Sequence, residues 1–350
     1  MTGPLRIVIA AGGTAGHVVP AIAVADALRA DGAEVSFVGG QRAEVELVPQ
    51  AGYELDTLKV EGISRTNPLK AARAAARAGL ALGAARKILK QRRADAVLGG
   101  GGYVAGPVGA AAVAQRIPLV LAEADSHLGL TNRLLASRAR RVCLAFPLEG
   151  RDGDRYRVTG RPVPPLYRDR EHARAQLGIK DAETCVLVFG GSLGARSLNE
   201  AAPRAFKDAP YRVVHIAGKR DYATITPPGE GYVLLEYLSP FGIALAAADV
   251  AVARSGGSVF ELAQYGLPSI LIPYPHASAD HQTTNARWMA ERGAAVILGD
   301  DELAKLRAEV DALVDDPDRR ARMSAAAKAL AKPDAAKDIA AEVLSAAARR

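Results

Sequence analysis

Short apolar runs rich in valine, isoleucine and leucine alternate with longer alanine-rich stretches along the whole chain. A run that is apolar at nearly every position is typical of a strand buried on both faces of a parallel sheet, and the stretches between are typical of the helices that cover it. The pattern predicts six strands in the first half, at 5–11, 34–38, 96–99, 118–122, 141–145 and 156–159. It predicts six more in the second half, at 185–189, 212–217, 232–237, 250–253, 269–273 and 295–298. We therefore expect an α/β protein with two doubly wound, Rossmann-like domains.

The densest proline cluster, Arg-Pro-Val-Pro-Pro at 161–165, lies between the two sets of strands. Proline has no N–H group and a fixed φ, so regular structure is disfavoured there. We place the domain boundary in this cluster, with an N-terminal domain at 1–163 and a C-terminal domain at 164–350. The closing stretch, about 333–350, predicts a helix that is able to pack back on the N-terminal domain.

A glycine-rich turn follows the first strand of each half. The first reads Gly-Gly-Thr-Ala-Gly-His at 12–17, the second reads Gly-Gly-Ser-Leu-Gly-Ala at 190–195, and each runs into a helical stretch. The first turn of a helix presents unpaired backbone N–H groups, and the helix dipole also favours negative charge there. Two such half-sites suggest an anionic ligand held between two similar domains.

Two common classes of anion-binding α/β protein do not fit these turns. The first turn lacks the G-x-G-x-x-G spacing, and the second strand ends in Val38-Gly39-Gly40 without the acidic residue that would hold a ribose. No lysine follows either turn where a phosphate-binding P-loop needs one. These absences argue against an NAD-dependent oxidoreductase and against a P-loop NTPase.

The composition bounds the compartment. Only two cysteines occur, Cys143 and Cys185, and both lie in apolar runs, which favours buried thiols in a reducing compartment over a disulfide or a zinc site. No run approaches the roughly 20 apolar residues of a membrane span. The run at 5–11 leads into a motif and is not read as a signal peptide. We expect the protein to remain in the cytoplasm.

The positive charge is concentrated in one stretch. The formal net charge is +7, and residues 62–94 carry nine basic residues and no acidic one. Three interpretations are open: a solvated helical face, a basic surface that rests on anionic lipid headgroups, and a nucleic-acid site. The last is the weakest, because no aromatic residue interleaves with the basic ones.

Further polar motifs follow other predicted strands, where ligands of open α/β sheets bind. With these motifs in this order, from about residue 5 to 285, the chain resembles the MurG family of peptidoglycan N-acetylglucosaminyltransferases. The sequences that carry the resemblance are GGTAGHVVPA, GGGGYVAGP, GLTNRLLA, GGSLGARSLN, ARSGGSVFELAQYGLPSILIPYPHA and DHQTTNA. The resemblance implies a two-domain GT-B fold and an inverting transfer of N-acetylglucosamine from UDP-N-acetylglucosamine to the 4-hydroxyl of lipid I.

The resemblance also implies which residues bind the donor and which surround the acceptor diphosphate. Glu261 would hold the ribose hydroxyls, because a carboxylate accepts two hydrogen bonds. The donor residues implied are Thr14, Ala15, Gly16, Asp125, Arg161, Ser192, Leu238, Gly256, Gly257, Ser258, Glu261 and Gln282, with Asn285 as a further contact to the sugar. The acceptor and diphosphate loops would contain Gly12, Gly13, Gly101, Gly102, Tyr103 and Asn132.

The transfer needs a base for the acceptor hydroxyl and stabilisation of the leaving diphosphate. His17 is the first candidate base, since a neutral imidazole suits this role near pH 7. Asp125 and Glu123 are alternative bases, and His127, His276 and His281 are further rivals at strand ends, whereas His172 and His215 are interpreted as structural. Arg161 or Arg254 would stabilise the diphosphate with the helix N-termini. We expect neither a metal nor another cofactor, and interpret Asp152-Gly153-Asp154 as a charged turn.

The chain departs from the family pattern on the acceptor side. Ala122, Ala124 and Asp125 stand where the family has histidine, glutamine and asparagine, and Arg161 stands for an asparagine. The segment before Glu261 is also one residue shorter than usual. Three alternatives therefore stay open: a related transferase with another acceptor, a UDP-N-acetylglucosamine 2-epimerase, and a catalytically silent sugar-nucleotide binder.

A lipid-linked acceptor would give the basic stretch a function. The residues expected on a membrane-facing surface are Lys70, Arg73, Arg77, Arg86, Lys87 and Lys90. This predicts a peripheral protein on the cytoplasmic side of the cell membrane. Its expected partners are UDP-N-acetylglucosamine, lipid I, the anionic membrane surface and other cell-wall and division proteins, but no nucleic acid.

Overall fold

The computed structural model describes residues 3–60, 68–191, 194–277 and 280–349, except for the side chains of 68–78. The chain divides into two compact units. The first unit contains Met1–Val163 and Lys332–Arg350, and the second contains Pro164–Ala331. The first unit therefore stops in the proline cluster and resumes with the closing helix of the chain.

The first unit is built on a seven-stranded parallel sheet with the strand order β3-β2-β1-β4-β5-β6-β7. Its strands are β1 (Arg6–Ala11), β2 (Glu34–Gly39), β3 (Glu54–Thr57), β4 (Ala96–Gly101), β5 (Leu119–Glu123), β6 (Arg141–Leu144) and β7 (Tyr156–Val158). Its helices are α1 (Ala15–Ala30), α2 (Ala43–Gln50), α3 (Pro68–Gln91), α4 (Ala105–Ala114), α5 (Leu130–Leu135) and, at the end of the chain, α13 (Ala335–Ala348).

The second unit contains a six-stranded parallel sheet with the order β10-β9-β8-β11-β12-β13. Its strands are β8 (Cys185–Phe189), β9 (Arg212–Ile216), β10 (Tyr232–Leu235), β11 (Val250–Ala253), β12 (Ser269–Leu271) and β13 (Ala295–Ile297). Its helices are α6 (Arg170–Gln176), α7 (Arg196–Ala205), α8 (Gly242–Ala247), α9 (Val259–Tyr265), α10 (His281–Ala290), α11 (Leu306–Val314) and α12 (Pro317–Leu330). Both units are Rossmann-like, with helices packed on a parallel sheet, as the apolar pattern predicts.

The apolar pattern did not predict one strand. Strand β3 forms the edge of the first sheet, beside β2, and none of its four residues is buried. Its sequence, Glu-Leu-Asp-Thr, has no apolar run because an edge strand of a sheet needs to bury little of its surface. The first sheet accordingly has seven strands where six were expected.

Helix α13 packs in the first unit, against α1 and strands β4 to β6. Ile339 and Val343 are buried there with Ile7, Ile9 and other core side chains of the unit. The Glu342 carboxylate forms ion pairs with Arg141 at 2.8 Å and Arg157 at 2.7 Å. Apolar burial and a largely buried acidic group thus tie the end of the chain to the strands at 141–158.

Both cysteines are free thiols inside the sheets. Burial raises the pKa of Cys143 and of Cys185 to about 12, so both remain protonated near neutral pH. Among the described residues, no group of three or more histidine, cysteine, aspartate or glutamate side chains is placed to hold a metal ion.

Candidate active site

The first glycine turn is built around a buried carboxylate. Glu44, at the start of α2, is 0% exposed and accepts hydrogen bonds from the backbone N–H of Gly13 at 2.9 Å and of Gly40 at 2.7 Å. Burial acts to raise the pKa of Glu44, but these and other backbone hydrogen bonds outweigh it and lower the pKa. Glu44 was not among the candidates; its only sequence signal is an acidic residue shortly after the Gly-Gly that ends β2.

In the first unit, the loops after β1 and β4 pack so closely that they require glycine. Gly102 has φ +79°, and a Cβ atom there would lie 1.9 Å from the carbonyl oxygen of Gly12. The Tyr103 hydroxyl donates to Glu44 at 3.4 Å. The loops after β1 and β4 therefore lie against each other, as required if both are to contact one ligand.

His17 lies in the first turn of α1, above the end of β4. Its Nδ1 atom is 3.3 Å from the Thr14 hydroxyl, and a Cβ atom on Gly101 would be 2.5 Å from the ring. Burial lowers the pKa of the His17 imidazole; the nearby Asp125 carboxylate opposes this and the Arg161 guanidinium adds to it. The imidazole is therefore neutral near pH 7, the state that a general base needs.

Glu123 organises the loop that follows β5. Its carboxylate is 8% exposed and accepts from the backbone N–H of Asp125 at 3.1 Å and of Gly129 at 2.8 Å, and from the Asn132 side chain at 2.9 Å. Burial raises the pKa of Glu123, although these hydrogen bonds act in the opposite direction. This geometry favours a supporting role for Glu123 and Asn132, whereas His17 and the half-buried Asp125 remain candidate bases.

Arg161 connects the two loops beside His17. Its guanidinium donates to the carbonyl oxygen of Gly16 at 2.7 Å and to that of Ala124 at 3.5 Å. Gly16, His17, Glu123, Ala124 and Arg161 line one small cavity in this unit. Thr14, Ala15 and Gly16 are exposed at the start of α1.

The second unit has a pocket at the carboxyl ends of its strands, beside Gly191. Three of the expected donor residues, Leu238, Ser258 and Glu261, line it together. Phe189 and Phe241 form its apolar part, with ring centroids 5.0 Å apart. Glu236 and Glu261 both line the pocket, and an apolar wall beside carboxylates suits a nucleoside, whose base is flat and whose ribose offers two hydroxyl donors.

A more polar groove lies on the other side of the same glycine turn. Gly190, Gly194, Arg254, Tyr274 and Gln282 are among the residues that line it. The Gln282 amide oxygen accepts from the Tyr274 backbone N–H at 3.0 Å, which fixes the orientation of the amide. Gly256 and Gly257 precede α9 and are half-buried, whereas Ser192 lies outside the described residues.

Two residues expected to contact the donor, Arg254 and Asn285, are bonded to other residues of the second unit. Arg254 is 6% exposed and forms an ion pair with Asp300 at 2.7 Å and a hydrogen bond to Ser197 at 2.7 Å. Asn285 is 2% exposed and donates to the Ser255 carbonyl oxygen at 3.0 Å. These contacts favour a supporting role for both side chains over direct contact with the donor.

The remaining candidates lie at several places. His276 is exposed and lines the polar groove with Gln282, His281 begins α10, and Asp152-Gly153-Asp154 lies in an exposed turn before β7. In α3, Arg86, Lys87 and Lys90 are exposed, whereas the side chains of Lys70, Arg73 and Arg77 lie outside the described residues. No helix in the described parts of the chain is long and apolar enough to span a membrane.

Comparison with known proteins identifies the class first. The glycosyltransferase family 28 N-terminal domain matches residues 7–144, and the glycosyltransferase family 28 C-terminal domain matches residues 185–339. Together the two models cover both glycine turns and most of both sheets, so the two units are those of a GT-B glycosyltransferase.

The relatives define the group more closely. A UDP-N-acetylglucosamine–N-acetylmuramyl-(pentapeptide) pyrophosphoryl-undecaprenol N-acetylglucosamine transferase from Methylococcus capsulatus is 42% identical, over 96% of this chain and 97% of its own. The crystal structure of Acinetobacter baumannii MurG has a TM-score of 0.79 and 28% identity, over 98% of this chain and 100% of that one. The chain belongs to the MurG family within glycosyltransferase family 28.

A similar fold also occurs outside that family. A putative UDP-N-acetylglucosamine 2-epimerase from Listeria monocytogenes has a TM-score of 0.72 but 16% identity, over 98% of this chain and 96% of that one. At that identity the likeness shows the fold alone, whereas the transferases match in sequence along nearly their full length.

Proposed function

We propose that this protein transfers N-acetylglucosamine from UDP-N-acetylglucosamine to the 4-hydroxyl of the N-acetylmuramoyl sugar of lipid I, which forms lipid II. The observation that carries the proposal is the pocket beside Gly191, where the apolar side chains of Phe189 and Phe241 meet the Glu261 carboxylate. Such a pocket suits a uridine, and a relative that is 42% identical over 96% of this chain is an N-acetylglucosamine transferase.

Donor binding follows from the surroundings of that pocket. Glu261 accepts hydrogen bonds from the ribose hydroxyls, and Leu238 and Phe241 contact the base. The glycine turn and the Gly256–Gly257 segment bring backbone N–H groups close to the diphosphate without the obstruction of a Cβ atom. Gln282, oriented by the Tyr274 N–H, contacts the transferred sugar.

The reaction is an inverting displacement. The acceptor oxygen attacks the anomeric carbon of the sugar, the bond from that carbon to the diphosphate breaks, and UDP leaves with the bonding electron pair. His17 takes the proton of the acceptor hydroxyl, because its imidazole is neutral and lies at an exposed helix start. Backbone N–H groups at the second glycine turn stabilise the charge on the leaving diphosphate.

UDP release from UDP-N-acetylglucosamine, measured with and without a soluble lipid I analogue, tests this function. We expect release that depends on the acceptor, together with a new disaccharide. Release without a disaccharide, or tight UDP binding with no release, would contradict the lipid I assignment and point to another acceptor. A new UDP-sugar formed without any acceptor would identify an epimerase.

The first unit also carries a surface suited to a membrane. On α3, Leu80 is 78% exposed, and Arg86, Lys87 and Lys90 are exposed further along the same helix. On α5, Leu134 is 68% exposed. Helix α4 packs against both α3 and α5. Exposed leucines within a basic surface favour a peripheral contact with anionic lipid. We infer that this contact is on the cytoplasmic side of the membrane, which suits both a lipid-linked acceptor and the two free thiols.

Vesicle binding tests this surface. The double variant Lys87→Gln/Lys90→Gln should bind phosphatidylglycerol-containing vesicles more weakly than the parent protein, by about 1 kcal/mol for each charge removed. Binding to purely zwitterionic vesicles should be weak for both proteins. The matched control is Lys337→Gln on α13, whose side chain is 77% exposed. Equal losses from the double variant and the control would contradict a localised membrane surface.

A further inference from the structure

A buried polar network lies beneath the second glycine turn, and none of its members belongs to the donor contacts described above. His215 at the end of β9 is 0% exposed, and Asn199 on α7 is 1% exposed. His215 Nε2 is 3.0 Å from Asn199 Oδ1, and His215 Nδ1 is 2.7 Å from the Tyr232 hydroxyl on β10. Burying this many polar atoms is costly unless every hydrogen bond is made, so the network needs an explanation.

The hydrogen bonds determine the direction of the whole network. The Asn199 amide nitrogen donates to the Ala217 carbonyl oxygen at 2.8 Å and to Asp221 Oδ2 at 2.9 Å. Both partners are acceptors, so the amide oxygen is the atom that faces His215. An oxygen accepts only, and His215 Nε2 must therefore carry the hydrogen.

The protonation of Nε2 also determines the direction of the hydrogen bond between His215 and Tyr232. A neutral imidazole has a single N–H group, so with Nε2 protonated the Nδ1 atom accepts from the Tyr232 hydroxyl. Burial lowers the pKa of His215 to about 4, which keeps the ring neutral under ordinary conditions. Tyr232, His215 and Asn199 thus form a relay of hydrogen bonds in which each bond has only one possible donor.

The relay ends at backbone that lines the proposed donor pocket. A Cβ atom on Gly194 would lie 2.0 Å from the Ala217 oxygen and 3.0 Å from the Asn199 amide nitrogen, so the glycine turn packs directly on this carbonyl. The next residue, Gly218, lines the same pocket as Gly191 and Glu261. The Asn199 amide thereby joins the end of β9 to the start of α7.

We propose that His215 is a positioning residue for the nucleotide donor: by donating from Nε2 it orients the Asn199 amide, which holds the Ala217–Gly218 backbone against the glycine turn. This inference rests on the proposed function, because it assumes that UDP binds in the pocket beside Gly191. It assigns to Tyr232 a supporting role, because its hydroxyl donates to Nδ1 and so favours the Nε2-protonated tautomer that Asn199 Oδ1 requires.

The test is the affinity of the full-length protein for UDP, measured by calorimetry. His215→Leu removes the Nε2–H donor, and Tyr232→Phe removes the hydroxyl that supports this tautomer by donating to Nδ1; each should weaken UDP binding about tenfold, the loss expected when one buried hydrogen bond is broken. His215→Gln retains an N–H donor on a side chain of similar reach and should restore most of the affinity. Tyr211→Phe is the matched control, since it removes a buried hydroxyl that contacts Asp311.

A double-mutant cycle separates positioning from general destabilisation. If His215 acts through Asn199, the variant Asn199→Ala/His215→Leu should bind UDP no more weakly than Asn199→Ala alone. Additive losses, unchanged affinity in both His215→Leu and Tyr232→Phe, or an equal loss in Tyr211→Phe would overturn the proposal. If His215→Leu does not fold, Tyr232→Phe carries the test by itself.

Nitrogen-15 NMR of the histidine rings tests the relay independently of the ligand. We expect His215 to be protonated at Nε2 in the parent protein and to show a larger share of the Nδ1 tautomer in Tyr232→Phe, where no hydroxyl donates to Nδ1. Protonation at Nδ1 in the parent protein would overturn the relay even if UDP binds. If the parent protein binds no UDP while His215 is protonated at Nε2, the proposed donor is wrong, and with it the positioning role, but not the network.

Discussion

The Arg161 guanidinium donates to the carbonyl oxygen of Gly16 at 2.7 Å, one residue before the candidate base His17. A second hydrogen bond reaches Ala124 in the loop after β5, at 3.5 Å. One side chain thus ties the start of α1 to the loop that carries Asp125. Because arginine presents several N–H donors in a rigid plane, it can hold both carbonyl groups at once.

Replacing Arg161 should therefore affect both the position and the pKa of His17. Arg161→Ala removes the link and a positive charge, so kcat/KM should fall about tenfold, as expected for loss of a hydrogen bond from a charged group. The pKa of His17 should rise, since Arg161 lowers it. Arg161→Lys keeps the charge and should show the activity loss with little change in that pKa. A fall in activity with an unchanged His17 pKa in both variants would contradict an electrostatic effect of Arg161 on His17.

The pH dependence of the reaction should report His17. A general base must be unprotonated, so activity is lost as the pH falls through the pKa of His17 in the folded protein. Burial lowers that pKa, and the acid limb of kcat/KM should therefore lie below about 6.5, the ordinary value for histidine. His17→Ala should lower kcat by about 10²- to 10⁴-fold and abolish the limb while UDP still binds. An unchanged limb in this variant would assign the base elsewhere, to Asp125 first.

Glu123→Gln separates a supporting carboxylate from a catalytic one. The carboxylate accepts three hydrogen bonds, from Asp125, Gly129 and Asn132, and a glutamine retains only one oxygen acceptor. We expect the free energy of unfolding to fall by about 1–3 kcal/mol, the cost of leaving buried donors unpaired. Thermal unfolding measures this loss. The acid limb of the kcat/KM profile should not move in Glu123→Gln. If the limb disappeared in this variant, Glu123 would be the base.

The ribose role of Glu261 can be tested with the ligand as well as with the protein. The parent protein should bind UDP more tightly than 2′-deoxy-UDP, because the carboxylate accepts from the ribose hydroxyls. Glu261→Ala should weaken UDP binding about 10- to 100-fold, since hydrogen bonds to a charged group are strong, and should bind the two nucleotides equally. Discrimination that survives in the variant would place the ribose against another residue.

Much of the fold follows from local patterns. The apolar runs predicted twelve of the thirteen strands that the described residues form, and most of these are buried, which requires apolar side chains along the strand. Strand β3 was missed because it is an edge strand without a buried residue and reads Glu-Leu-Asp-Thr; the opposite edge, β7, is no more buried but contains Tyr156 and Val158. Glycines 102 and 194 were recognisable as turns, but their reason, contact with the carbonyl groups of Gly12 and Ala217, is visible only in the structure.

The sequence by itself determined the family, the two-domain α/β class and the strand ends at which ligands bind, since motif spacing and apolar periodicity are local along the chain. The tertiary structure decided which polar residues are available for chemistry. Glu44, Glu123 and Arg254 are committed to backbone groups or partners distant in sequence, whereas Leu238, Ser258 and Glu261 converge on one pocket. Hydrogen-bond partners of buried groups are set by packing between distant segments, which no local pattern records.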